Sequence, residues 1–163
     1  MADDIHSSTS AHGVEVERDD DGHRRLVATE KVAASEEILA IQGVVRPTPT
    51  RFSVQIGPRR HLDEMGPVDA TNHSCDPSAF VDFSDPARIV LRALRDLSAG
   101  DEISIHYCAT EYDMAAPFEC GCGSDSCVGF VRGYRYLPET DARALSPWIS
   151  PAVRTLSSLT GAA

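Results

Sequence analysis

From Val14 onward, apolar residues fall in short runs separated by turn-forming residues. The runs at 14–17, 25–29, 38–42, 53–56, 79–83, 89–93 and 103–106 are too short for helices and read as strands. AFVDF at 79–83 alternates apolar and polar positions, as a strand with one buried face does. Gly43, Pro47, Pro49, Gly57, Pro58, Gly66 and Pro67 sit between the runs, where turns need them. Only 111–115 and 139–145 are expected as helices, and both are short. The pattern predicts one mostly β domain.

The two ends differ from this middle. Residues 1–13 are small and polar, with Ile5 the only large apolar side chain before Val14, and are expected to be disordered. After Leu137, SPWISPAVRTLSSLTGAA carries Pro147, Pro151 and many small residues. Partial order at best is expected there, with Trp148 as a docking point. One internal echo is visible between EKVAASEEIL (30–39) and RDLSAGDEIS (95–104). Each reads as a tight turn feeding a strand, and two copies indicate a repeated local geometry, not a solenoid.

Composition narrows the partners. A chain of 163 residues has room for one core. Fifteen basic against 25 acidic residues leave a net charge of −10, which repels phosphates and suits a basic protein or peptide. Direct nucleic-acid binding is therefore not expected. The same charge would equally serve solubility. No apolar run reaches the roughly 20 residues of a membrane span, and MADDIHSSTSAHG lacks the features of a signal peptide. Five cysteines in such a chain favour metal or free thiols over disulfides, and a cytoplasmic setting.

Two clusters carry candidate chemistry. NHSCDPS at 72–78 packs an amide, an imidazole, a hydroxyl, a thiol and a carboxylate into seven residues; turn-forming propensity alone would make it a surface loop. ECGCGSDSCVG sets Cys120, Cys122 and Cys127 in a C-x-C-x4-C arrangement, whose glycines let three thiols converge on one ion. A tetrahedral zinc site needs a fourth ligand. Cys75, Cys108, His73 and His106 all compete for that place, and spacing does not choose among them.

Four segments together resemble one family, the SET-domain protein lysine methyltransferases. NHSCDPS resembles their N-H-S-C-x-P-N motif. RDLSAGDEISIHY resembles R-x-[IL]-x-x-G-E-E-[IL]-T-x-D-Y, and ECGCGSDSCVG resembles the post-SET C-x-C-x4-C-x-G. EKVAASEEILAIQG resembles the early A-T-x-x-[IL]-x-x-G-E-x-[IL]-x-x-x-G run. The order and distances agree over roughly residues 14–137, and TEYDMAAPFECGCG looks most like the compact microbial members. The resemblance implies several short β-sheets around a pseudoknot over 14–117, a zinc-binding post-SET segment over 118–137 and a C-terminal tail over 138–163.

It also implies roles. Arg24, Arg25, Leu26, Asn72 and His73 would hold S-adenosylmethionine, with Phe130 and Val131 covering its adenine. Cys75 would complete a zinc site with Cys120, Cys122 and Cys127. Tyr107 falls where the family's catalytic tyrosine stands, and its hydroxyl would orient the amine and the methyl. Lysine, with a pKa near about 10.4, must arrive neutral, so such enzymes work by desolvation and alignment in a narrow channel. Asp63, Glu64 and Asp82 could attract a basic substrate or merely form a solvated face.

The chain departs from the family pattern at several points. His23, Arg24 and Arg25 stand where the family has G-x-G, and an arginine there could pair with the cofactor carboxylate. Ile41 and Ile105 replace channel aromatics, His106 replaces the usual Asp, and Ser78 the final Asn. Two function classes follow: a working methyltransferase, or a SET scaffold serving as a zinc-stapled binding module or host to another reaction.

Overall fold

Among the described residues, 12–161 of a computed structural model, twelve strands pair into five small sheets. The strands are β1 (Val14–Arg18), β2 (Arg24–Ala28), β3 (Glu37–Ala40), β4 (Val44–Arg46), β5 (Val54–Gly57), β6 (Arg60–Asp63), β7 (Asn72–His73), β8 (Ala79–Asp82), β9 (Val90–Ala93), β10 (Ser104–Ile105), β11 (Phe118–Glu119) and β12 (Phe130–Val131). β1–β2 and β11–β12 are antiparallel pairs, β3–β9–β8 and β4–β6–β5 are three-stranded, and β7–β10 is parallel. Helix α1 (Tyr107–Thr110) lies between β10 and β11, and α2 (Glu139–Leu145) and α3 (Pro151–Thr160) follow β12. None is long and apolar enough to cross a membrane.

All seven predicted runs contain a strand. Among the strands the apolar pattern misses, β6 reads RHLD, yet it is the central strand of its sheet and His61, Leu62 and Asp63 are all buried. The expected helix at 111–115 does not form. Its first residue closes α1 instead: the Glu111 carbonyl is taken by the Tyr134 N–H and the carboxylate by the Gln55 N–H, so the helical ladder cannot continue.

The C-terminal tail corrects the sequence reading more strongly. Pro147 and Pro151 are not breakers here, because each stands near the start of a helical turn, where no intrahelical N–H is required. Ser150 caps α3 by accepting from the Val153 N–H at 3.1 Å, and its own N–H donates to the Ala109 carbonyl. Ala152 and Val153 are buried, and α3 packs against β5. Trp148 does dock, lining a small apolar cleft with Phe80 and Leu145. Of the segment expected to be disordered, residues 1–11 lie outside the described residues. The last two are anchored: the His12 N–H donates to the Ile38 carbonyl and the Gly13 N–H to Glu30 Oε1.

The internal echo has a structural meaning. Val32 and Leu97, equivalent positions in the two copies, exchange both backbone hydrogen bonds with each other. In each copy the next residue's N–H donates to a carboxylate three positions on, Ala33 to Glu36 and Ser98 to Asp101. Each turn also holds one left-handed residue, Ser35 at φ 70 and Gly100 at φ 90. The copies therefore clasp one another across the core of Leu26, Ile38, Leu39, Leu91 and Ile103. A second, smaller core gathers Cys108, Ala109, Val131 and Leu145, and Tyr107 packs against both.

Candidate active site and metal cluster

The β7–β10 pairing sets NHSCDPS beside the strand that leads through His106 into Tyr107, the first residue of α1, at the place the resemblance gives to the pseudoknot. Asn72 Nδ2 donates to the Arg24 carbonyl and to Glu102 Oε1, both at 2.9 Å, tying β7 to β2 and to the residues entering β10. The Ser74 N–H donates to the Ile105 carbonyl. Ser78 Oγ donates to the Glu102 carbonyl and accepts from the Ser104 N–H. Arg95 closes the loop by donating to Asp76 and to the Pro77 carbonyl. The stretch is a packed junction, not a surface loop.

His73 sits at its centre. Its Nδ1 accepts from the Tyr107 N–H at 3.1 Å, which leaves the ring proton on Nε2, 3.3 Å from Cys75 Sγ. Burial first, then neighbouring His106, lowers its pKa to about 3, so the ring is neutral. His106 is also buried, is lowered to about 4 by desolvation, and has no hydrogen-bond partner for Nδ1.

The Tyr107 hydroxyl donates to the Thr71 carbonyl at 2.7 Å, and burial raises its pKa to about 12. It is a neutral phenol at any physiological pH, able to orient a group but not to act as a base. It lines a cavity of about 50 Å³ with Phe52, Asp69, Thr71, Ile105 and Glu111. Ile105, one of the aromatic replacements seen in the sequence, does form part of that wall. Phe52, Thr71 and Glu111 escaped the sequence reading. Phe52 is marked in hindsight by the two arginines whose guanidiniums lie 5.5 Å (Arg24) and 5.7 Å (Arg51) from its ring centroid.

Burial raises the Glu111 carboxyl from its ordinary 4.5 to about 7, against a lowering by the Gln55 N–H. A carboxyl raised on folding contributes stability that is full below its unfolded pKa and fades as pH climbs through its folded one. Glu111→Gln should therefore melt with wild type at pH 4.5 and several degrees above it at pH 8.5, a difference on the order of 3 kcal/mol. Thermal melts at the two pH values check this; parallel curves at both would show a solvated carboxyl.

The sulfurs of Cys75, Cys120, Cys122 and Cys127 all lie within 4.8 Å of one another, with Cys75 and Cys120 at 3.9 Å. A tetrahedral ion with bonds of about 2.3 Å would space its sulfurs about 3.8 Å apart, so the set fits zinc. The N–H of Val128 points at Cys75 Sγ and that of Gly129 at Cys127 Sγ, each at 3.4 Å. Backbone donors, the Ser124 N–H first, pull Cys122 down to about 6, while burial pushes Cys75 up. Among the fourth-ligand competitors, Cys108 is fully buried in the second core and is not among the four converging thiols. His73, Cys75 and His106 form a second close group, but it shares Cys75 and offers only three ligands.

The remaining candidates scatter. Arg24 presents its carbonyl to Asn72, whereas Arg25 turns outward to pair with Glu17 at 2.5 Å and Leu26 is fully buried in the main core. Phe130 is 49% exposed and Val131 only 1%. Asp63 and Glu64 pair with Arg46, and Asp82 with Arg92, so none is a free attractor. Ile41 is buried in the main core.

Residues 46–108 match the SET domain family. The chain is 38% identical to Methyltransferase flvH of Aspergillus flavus over 82% of its own length and 72% of that protein. It is 40% identical to a histone-lysine N-methyltransferase, H3 lysine-36 specific, of Chaetomium globosum, covering 38% of this chain but 7% of that one. In fold it is similar to KRYPTONITE solved in complex with mCHH DNA, H3(1-15) peptide and SAH: TM-score 0.58, 23% identity, 74% of this chain and 30% of that. That neighbour is bound to DNA, so the expectation of no nucleic-acid contact draws no support from it.

Proposed function

This chain belongs to the SET-domain lysine methyltransferase family, and from that premise we propose that it transfers methyl from S-adenosylmethionine to the side-chain amine of lysine in a basic protein or peptide. The observation that carries the reading is the Tyr107 hydroxyl, held 2.7 Å from the Thr71 carbonyl on the wall of a narrow buried cavity. A neutral phenol fixed in this way orients an incoming amine without competing for its proton. The apolar walls, Val54, Val68 and Ile105 among them, favour the uncharged amine by excluding water.

The residues around the cavity suit the cofactor. The guanidiniums of Arg24 and Arg51, flanking Phe52, offer donors for a carboxylate. His73 and Phe118, with ring centroids 5.7 Å apart, offer aromatic faces for an adenine. When bound, S-adenosylmethionine supplies an electrophilic methyl on a sulfonium. Asn72 braces β2 against β7 and so keeps the backbone around Arg24 and His73 in place. Four thiols this close repel one another once ionised, and a divalent cation removes that cost; we read Cys75, Cys120, Cys122 and Cys127 as a structural zinc site of a post-SET segment over 118–137.

Calorimetric titration with S-adenosylmethionine tests the reading. Saturable one-to-one binding is expected, weakened by Asn72→Ala. Absence of binding by the wild-type protein would sink it in favour of a binding module on the same scaffold.

A further inference from the structure

Glu111 is a buried carboxyl without a cation. Asp63, Glu64, Asp76, Asp82 and Asp113 each pair with an arginine, whereas among the described residues no arginine or lysine forms an ion pair with Glu111. One carboxylate oxygen accepts from the Gln55 N–H at 2.8 Å, a contact to backbone that leaves the charge uncompensated. An unpaired buried carboxylate is costly, and such groups concentrate where a ligand completes them.

The surroundings say what that ligand carries. Glu111 lines the same cavity as Tyr107, and the Thr71 hydroxyl on that wall is buried with no hydrogen-bond partner. Asp69, whose Oδ1 accepts from the Met65 N–H, adds a second carboxylate. Arg51 is the one cation lining the cavity, and its guanidinium lies beside Phe52. The rest of the lining sets apolar Val54, Val68 and Ile105 beside the hydroxyls of Thr50, Ser53 and Thr110. Two carboxylates, an unpartnered hydroxyl and apolar side chains around about 50 Å³ of space match a slender alkyl chain ending in an ammonium.

We propose that Glu111 is the residue that recognises the cationic end of the substrate, drawing an alkylammonium into the Tyr107 cavity. This rests on the lysine reading above and assigns to Glu111 selection of the charged form, ahead of any transfer. It acts as a specificity residue; Tyr107 does the orienting. Burial, which holds Glu111 near 7, leaves a substantial ionised fraction at neutral pH to meet the ligand.

The test uses n-butylammonium and n-butanol, equal in length and different in charge, titrated into the full chain and followed by amide NMR shifts around the cavity. Wild type should bind the ammonium at least tenfold more tightly than the alcohol. Glu111→Gln keeps an acceptor for the Gln55 N–H and should bring that ratio to about one, with butanol affinity unchanged. If the variant does not fold, the wild-type Glu111 carboxyl carbon is titrated instead, and butylammonium, unlike butanol, should lower its midpoint. An unchanged ratio in the variant, no cavity shifts, or an unmoved midpoint would overturn the proposal. No cofactor enters these measurements, so their failure is separable from failure to bind S-adenosylmethionine.

Discussion

Tyr107→Phe is expected to fold, to bind S-adenosylmethionine about as tightly as wild type, and to lose methyl transfer by roughly a hundredfold or more. The ring and the hydroxyl have separable duties. The ring packs against both cores, and phenylalanine keeps that contact. The backbone N–H donated to His73 is likewise untouched. Only the hydroxyl, with its bond to the Thr71 carbonyl, is lost. Leaving that carbonyl without its partner costs about 1–3 kcal/mol of stability, a drop of a few degrees in melting temperature. A hundredfold fall in turnover is about 2.7 kcal/mol of transition-state stabilisation. The assay is transfer of labelled methyl to a mixture of basic proteins. Undiminished transfer by the variant would show that another group orients the amine.

The second large effect concerns the metal. Purified protein is expected to carry one zinc per chain, Cys75→Ser to lose most of it, and Cys108→Ser to keep it. Cys75 supplies the only one of the four thiols that lies outside the 120–127 segment. A metal bridging Cys75 and Cys120 cross-links chain positions 45 residues apart, a loop closure worth about 4 kcal/mol in denatured-state entropy. Its loss frees β11 and β12, with Phe118 and Val131, from the anchor at 75. Elemental analysis of the three proteins decides the point, with melting temperature as a second readout. Metal content near zero in wild type, or undiminished in Cys75→Ser, would defeat the assignment.

What the sequence made legible was local. The cysteine triplet lies within eight residues, and each strand run announces itself by its own apolar pattern. The motifs also mark Tyr107, which lines the cavity, and Cys75, which joins the thiol cluster, because motif spacing is fixed by strand and turn geometry. Features created by distant packing were not legible. RHLD becomes a buried central strand because β4 and β5 flank it on both sides. Glu111 reads as a polar helix residue until α1, β5 and Tyr134 enclose it. The tail reads as partly ordered at best from its prolines and small residues, whereas Pro151 stands one residue inside a capped helix start. At Arg25 and Leu26 the alternation of β2 sends one side chain to solvent and the other to the core, a split the motif alone does not show.

The clasp between the two turn copies has a consequence for the order of assembly. Val32 meets Leu97 across 65 residues of chain, whereas the β1–β2, β5–β6 and β8–β9 pairings each close over a short span. Loop-closure entropy favours those hairpins first and leaves the clasp for late in folding. The parallel β7–β10 junction, also long-range, is bound into the same region through the contacts of Ala28 with Gly100 and Asp101 and of Leu26 with Ile103. Hydrogen exchange should accordingly find the amides of Val32 and Leu97 opening together with those that hold Tyr107, as one cooperative unit separate from the hairpins. The geometry around Tyr107 is then expected to assemble late, and a mutation in either turn would reach Tyr107 without touching the cavity.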